Sequence, residues 1–107
     1  MQRVLFAAAL VAMAAPLAAE AAGDPAAGRK KAGQCAACHG IDGVAVQPDA
    51  ATIAGESEIY LTRQLEAFRA GERQHEQMTI IAQGLSDEDI ADLVAWYSSI
   101  EFTVKMK

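Results

Sequence analysis

Positive charge is what this chain lacks first. Its 107 residues hold 9 Lys and Arg against 14 Asp and Glu, a formal net charge of −5. A general nucleic-acid binder needs a basic footprint that releases counterions, so that class is excluded. Docking on an anionic lipid surface is disfavoured for the same reason. Cysteine and histidine are scarce, two of each, too few for a disulfide scaffold. No apolar run reaches the ~20 residues that cross a bilayer. No segment alternates polar and apolar residues as a half-buried strand would. The length leaves room for one small domain. A hydrophobic fraction of 52% suggests a rich core, but much of it is alanine near the start.

That opening segment reads as an address. Met1-Gln2-Arg3 gives a short positive start, and Val4 to Ala15 is an unbroken apolar run. Pro16 ends the run, and Ala19-Glu20-Ala21 puts small residues at the two positions a signal peptidase reads. This is the three-part layout of a secretory signal; an uncleaved amphipathic anchor is the competing reading. Cleavage after Ala21 leaves one domain over residues 22–107. It removes Arg3 and Glu20, one charge of each sign, so the net charge stays at −5. The expected setting is the periplasm or an equivalent exported compartment, with no stable membrane insertion.

The remainder reads as an all-α fold of about four helices joined by one long loop. Asp24 can cap a helix and Pro25 suits its first position, so a helix is expected from there to about Cys38. From Gly40 to Gly55 no period holds, and Gly, Asp and Pro punctuate a loop. Ser57 can cap a second helix bearing Leu61, Leu65 and Phe68 on one face, ended by Gly71. Met78, Ile81, Ala82 and Leu85 mark a shorter helical piece broken by Gly84. Ser86-Asp87-Glu88-Asp89 opens the last helix with three acids at its positive end, and Ile90, Leu93, Val94 and Tyr97 form its apolar stripe. So few aliphatic residues make a thin core.

Cys35-Ala36-Ala37-Cys38-His39 carries the chemistry. Each thiol can add across a haem vinyl group, and the next residue offers an imidazole to the iron on the same side. Behind a secretory signal this C-x-x-C-H spacing points to covalent haem. The porphyrin is itself a large apolar body, which accounts for the thin aliphatic core. Three plainer readings compete. A redox dithiol lacks a βαβ setting. A zinc site could draw on Cys35, Cys38, His39 and His75, but without the usual paired spacing. A chance structural disulfide is the third.

Candidates for the second iron ligand are few. Beyond the leader there are two methionines, Met78 and Met106, and one other histidine, His75. Met106 is second from the end, where chains fray. Met78 is the favoured ligand, and its competing reading is ordinary core packing on the short helical stripe. His75, three residues earlier, can share a helical face with Met78 and stays open as the alternative. A His/Met pair raises the reduction potential and closes the iron to substrates, which favours electron transfer over oxygen or peroxide chemistry.

Cys-Ala-Ala-Cys-His-Gly at 35–40, Asp42-Gly43, Ile53-Ala54-Gly55, Tyr60-Leu61, Gln64-Leu65, Phe68, Gly71, Arg73, Met78 and Leu85 through Ile90 form a larger pattern. From about Gly23 to Ile100 it resembles the class I c-type cytochromes. The bacterial group in question contains cytochromes c4 and c553 and the haem subunits of flavocytochrome c sulfide dehydrogenases. The resemblance implies a small cytochrome c fold wrapped around one covalent haem c. It implies that the methionine of Gly-x-Arg-x-x-x-x-Met, here Gly71, Arg73 and Met78, is the distal ligand. Gly28 matches a small residue that lets the first and last helices cross closely. Where the family has a proline whose carbonyl accepts from the proximal histidine, this chain has Ala51. A carbonyl remains for the bond that fixes the His39 ring, while the stiffness of proline is lost. The family's glutamine after Ala-Gly is Glu56 here, and cytochrome c4 carries two such domains where this chain has one.

The expected function is a periplasmic electron carrier passing single electrons through a His39/Met78-ligated haem, with no catalysis of its own. Its partners are redox proteins. The alternative is a haem subunit that takes electrons from a partner flavoprotein, as in the sulfide dehydrogenase type. A haem enzyme or gas sensor with a labile Met78 is a third class. Arg73 is read as pairing with a haem propionate or lying solvated, and Tyr60 as touching the haem rim or packing in the helix core. Trp96 and Tyr97 are read as packing between the terminal helices rather than relaying electrons. Arg29-Lys30-Lys31 is read as steering a negative partner or as a solvated face.

Overall fold

The computed structural model of the chain describes residues 1–14 and 22–107. Residues 1–14 carry no helix. The expected cleavage boundary at Ala19-Glu20-Ala21 lies outside the described residues. Among the described residues there are five helices: α1 Pro25–Lys31, α2 Gly33–His39, α3 Glu58–Ala70, α4 Met78–Gln83 and α5 Asp87–Ser98. No strand occurs among the described residues, and no helix there is long and apolar enough to cross a membrane.

Local chemistry sets the boundaries. The Asp24 side chain accepts from the Ala26 N–H with Pro25 at the first helical position. Ser57 accepts from the Tyr60 N–H at the start of α3, and Gly71 ends that helix in the left-handed conformation. Ser86 and Asp89 form a reciprocal capping box at α5. The helix expected over 25–38 is interrupted at Ala32, which closes α1 and opens α2. Ala32 is fully buried, with the non-helix-stabilising Gly33 next in line. The motif cysteines therefore sit on a short helix of their own.

The core is small and belongs chiefly to α5. Ile90, Leu93, Val94 and Tyr97 join Ala32, Leu61 and Leu85 in one buried cluster. Leu93 is 2% exposed, and burying such a side chain contributes about 2 to 3 kcal/mol. α5 packs on α1 and on α3, while α4 packs on α3.

Close approach at the α1–α5 joint depends on Gly28. A Cβ there would overlap the Asp92 carbonyl and press on the Trp96 Cβ at 2.9 Å. The Asp92 carboxylate completes the joint: one oxygen accepts from the Asp24 N–H at 2.9 Å, the other from Lys31 Nζ at 2.7 Å. Lys31 also reaches Asp89 at 3.0 Å. These hydrogen bonds push the Lys31 ammonium above its ordinary range, Asp92 contributing most. They hold the Asp92 carboxyl below its own range. Lys31 is thus committed to α5 and Arg29 lies 5.5 Å from the Trp96 ring centre, so Arg29-Lys30-Lys31 is not a free three-cation patch.

Candidate functional site

The loop after α2 folds back onto the helix that precedes it. Cys38 O accepts from the Val46 and Gln47 N–H groups at 2.8 and 3.2 Å. Gly43 O accepts from Ile53 and Ala54, at 2.8 and 3.1 Å. Gly43 has φ of 76°, and a Cβ there would meet the Ala54 backbone at 2.7 Å, so glycine is required at this turn. α5 clamps the same loop: the buried Tyr97 hydroxyl donates to Gly40 O at 3.0 Å, and the Trp96 indole N–H donates to Ile41 O at 2.9 Å. Burial pushes the Tyr97 phenol up, which keeps this donor protonated. The two aromatics therefore do more than pack between helices.

This scaffold presents Ala51 O to His39, with Nδ1 at 2.6 Å. A carbonyl can only accept, so Nδ1 carries a proton, and in the neutral ring Nε2 keeps its lone pair. The carbonyl expected at Ala51 is in place without proline. Cys35 and Cys38 are free thiols, and burial pushes the Cys35 thiol up to about 11. No group of three or more His, Cys, Asp or Glu close enough to hold a metal ion occurs among the described residues. The zinc set of Cys35, Cys38, His39 and His75 is not gathered.

Among the described residues α2 makes no contact with α3 or α4. A cavity of about 250 Å³ lies between them. Its lining includes Cys35, Cys38 and His39 from α2, Leu61, Leu65 and Phe68 from α3, Met78 and Ile81 from α4, and Leu93 and Val94 from α5. Both cysteines, both histidines and Met78 line one largely apolar space, which fits a large flat apolar group. Met106 is 91% exposed and absent from this lining. Tyr60 also lines the cavity, half-exposed, rather than packing inside α3.

His75 is on the lining too, but its ring faces a different partner. Its Nδ1 accepts from the Gln77 and Met78 backbone N–H groups, each at 3.2 Å. A backbone N–H can only donate, so in the neutral ring Nε2 carries the proton and offers no lone pair to a metal. Arg73 donates to Gln64 Oε1 at 2.7 Å, and its guanidinium lies 4.6 Å from the Phe68 ring centre. Gln64 lies one helical turn before Phe68, so both can meet the Arg73 side chain.

The family model for cytochrome c matches residues 25–101. Cytochrome c-554(548) of Halomonas halodenitrificans is 51% identical over 83 residues, which is 75% of this chain and all of that protein. Cytochrome c4 of Pseudomonas aeruginosa is 43% identical over 82% of this chain and 44% of its own length. The crystal structure of reduced cytochrome c4 from Pseudomonas stutzeri superposes with a TM-score of 0.71 at 38% identity, covering 78% of this chain and 48% of that one. The chain thus spans about half the length of these c4 relatives. A thiosulfate dehydrogenase electron acceptor of Stutzerimonas stutzeri is 33% identical over 63% of this chain and 32% of its own length.

Proposed function

Because this chain belongs to the cytochrome c family, whose members are electron carriers with covalently bound haem c rather than enzymes, we propose that it carries single electrons in the periplasm through one haem. In this reading Cys35 and Cys38 are the thioether anchors, His39 and Met78 are the axial ligands, and residues 1–21 are a signal peptide removed after Ala21. The observation that carries it is the 2.6 Å contact from His39 Nδ1 to Ala51 O, which leaves Nε2 free beside a cavity that Met78 also lines.

Haem supplies a one-electron iron couple when bound. The residues of this chain supply the rest. Cys35 and Cys38 fix position, and Ala51 fixes the plane of the His39 ring. Leu61, Leu65, Phe68, Ile81 and Leu93 exclude water from the pocket. His39 and Met78 would hold the iron of such a haem, and a thioether paired with an imidazole would favour a higher potential than two imidazoles.

The test is an absorption spectrum of periplasmically expressed protein, oxidised and then reduced. A weak far-red band in the oxidised form, lost on reduction, is the expected mark of methionine on low-spin ferric iron. Met78→Ala should keep the haem covalently attached and abolish that band; an unchanged spectrum would refute the assignment. Retention of haem through acid-acetone extraction, lost in Cys35→Ser/Cys38→Ser, tests the anchors.

A second reading is supported by the relative named as a thiosulfate dehydrogenase electron acceptor. In it the chain is the haem partner of a dehydrogenase, the flavoprotein of the sulfide dehydrogenase type included, and receives electrons inside a stable complex. Purification from the native source separates the two: a dehydrogenase that co-elutes supports the subunit, and a lone haem protein supports the free carrier.

A further inference from the structure

His75 is left without a role once Met78 is taken as the ligand, yet it makes four hydrogen bonds around that residue. Its Nδ1 accepts from the N–H groups of Gln77 and Met78, each at 3.2 Å. Its own N–H donates to Thr79 Oγ1 at 2.9 Å, and its carbonyl accepts from the Thr79 N–H at 3.1 Å. α4 is a single short helix that begins at Met78, and Gln77 at its cap position makes no side-chain hydrogen bond. The orphan N–H groups of its first turn would otherwise be left to water.

We propose that His75, with Thr79, is a positioning residue that clasps the backbone of Met78 and so holds its thioether on the iron. The inference rests on Met78 being the axial ligand. A six-residue helix has little stability of its own, so the direction of the Met78 side chain depends on what fixes its first backbone unit. His75 and Thr79 bracket that unit from both sides.

Three variants of the holoprotein test this, read by the far-red band and by displacement of the ligand with added imidazole. His75→Asn keeps an acceptor at the δ position of Nδ1 and has no atom at Nε2. His75→Ala removes the acceptor, and Thr79→Val removes the hydroxyl while keeping shape. The expected result is that His75→Ala binds imidazole roughly tenfold more tightly than wild type, the factor for one or two released hydrogen bonds. Thr79→Val should shift in the same direction by less, and His75→Asn should stay within about twofold of wild type.

If His75→Ala binds imidazole as wild type does, or if His75→Asn is as loose as His75→Ala, the clasp is refuted. Should His75→Ala fail to hold haem, Thr79→Val against His75→Asn decides: Thr79→Val at wild-type affinity also refutes it. The ligand assignment fails in a different way, by absence of the far-red band from wild type or its survival in Met78→Ala.

Discussion

The two histidines of this chain line one cavity and are prepared for opposite tasks. His39 ends α2 and points Nδ1 at a carbonyl, Ala51 O at 2.6 Å. His75 precedes α4 and points Nδ1 at two backbone N–H groups. In the neutral ring the first partner places the proton on Nδ1 and leaves Nε2 its lone pair; the second places it on Nε2. The C-x-x-C-H spacing marks His39 as a candidate ligand but leaves His75 open as the second one. The polarity of the backbone that each ring meets does separate them. A loop turned back on Cys38 offers carbonyls, whereas the start of a helix offers amides.

Making the same substitution at both places breaks the comparison most sharply. Asn keeps a polar atom where Nδ1 was and removes Nε2 in either case. His39→Asn should lose the proximal ligand and give a high-spin spectrum, the largest effect expected from any single change outside the cysteines. His75→Asn should leave the far-red band in place. Absorption spectra of the two oxidised proteins decide it, and a low-spin His39→Asn or a high-spin His75→Asn would reverse the two roles.

A second contrast lies between this pocket and the α1–α5 joint. The pocket is walled by apolar side chains, while the joint is tied by charge across Gly28. Hydrogen bonds from Lys31 and the Asp24 N–H lower the Asp92 carboxyl. The Ser86 backbone and then Lys31 lower Asp89. A depressed carboxyl stabilises the fold above its unfolded value of about 3.9 and loses that stabilisation as pH falls through the folded value. The raised Lys31 works in the other sense: its share is complete below about 10.4 and fades only as pH rises beyond that. Thermal unfolding followed by circular dichroism should show a plateau through neutral pH and a fall below about pH 4. Asp92→Asn should melt lower at pH 7 and show a shallower acid fall. Parallel acid slopes for variant and wild type would remove Asp92 from the account.

Most of the fold was legible because its signals are local. Asp24-Pro25, Ser57 and Ser86 through Asp89 each state a helix start in side chains that bond within three residues. The C-x-x-C-H spacing is local too, and the comparison that separates Met78 from Met106 needs only a count and a position. Three features were not legible. The break falls at the buried Ala32, where the only local signal is the single glycine at 33. Asp92 bonds to residues 61 and 68 positions away in sequence, so nothing beside it marks it as a joint. The acceptor role of His75 depends on how the segment before α4 turns, which a residue-type pattern does not encode. Ala51 is intermediate: its carbonyl was expected from resemblance to a family motif, since any residue supplies one.

Ala51 also allows the smallest and most discriminating change at the His39 wall. The bond that orients the ring comes from a carbonyl, which proline retains, and the Ala51 N–H donates no hydrogen bond among the described residues. Ala51→Pro should therefore keep the 2.6 Å contact and the spectrum. What it removes is freedom in the unfolded chain, for an expected gain of about 0.5 to 1 kcal/mol, a few degrees in the melting midpoint of the oxidised protein. If stability falls, the backbone at Ala51 is incompatible with the proline ring, and this chain reaches the same carbonyl by a different path. If stability rises while the far-red band is unchanged, the carbonyl alone orients His39, and proline at this position adds stiffness without altering the ligand.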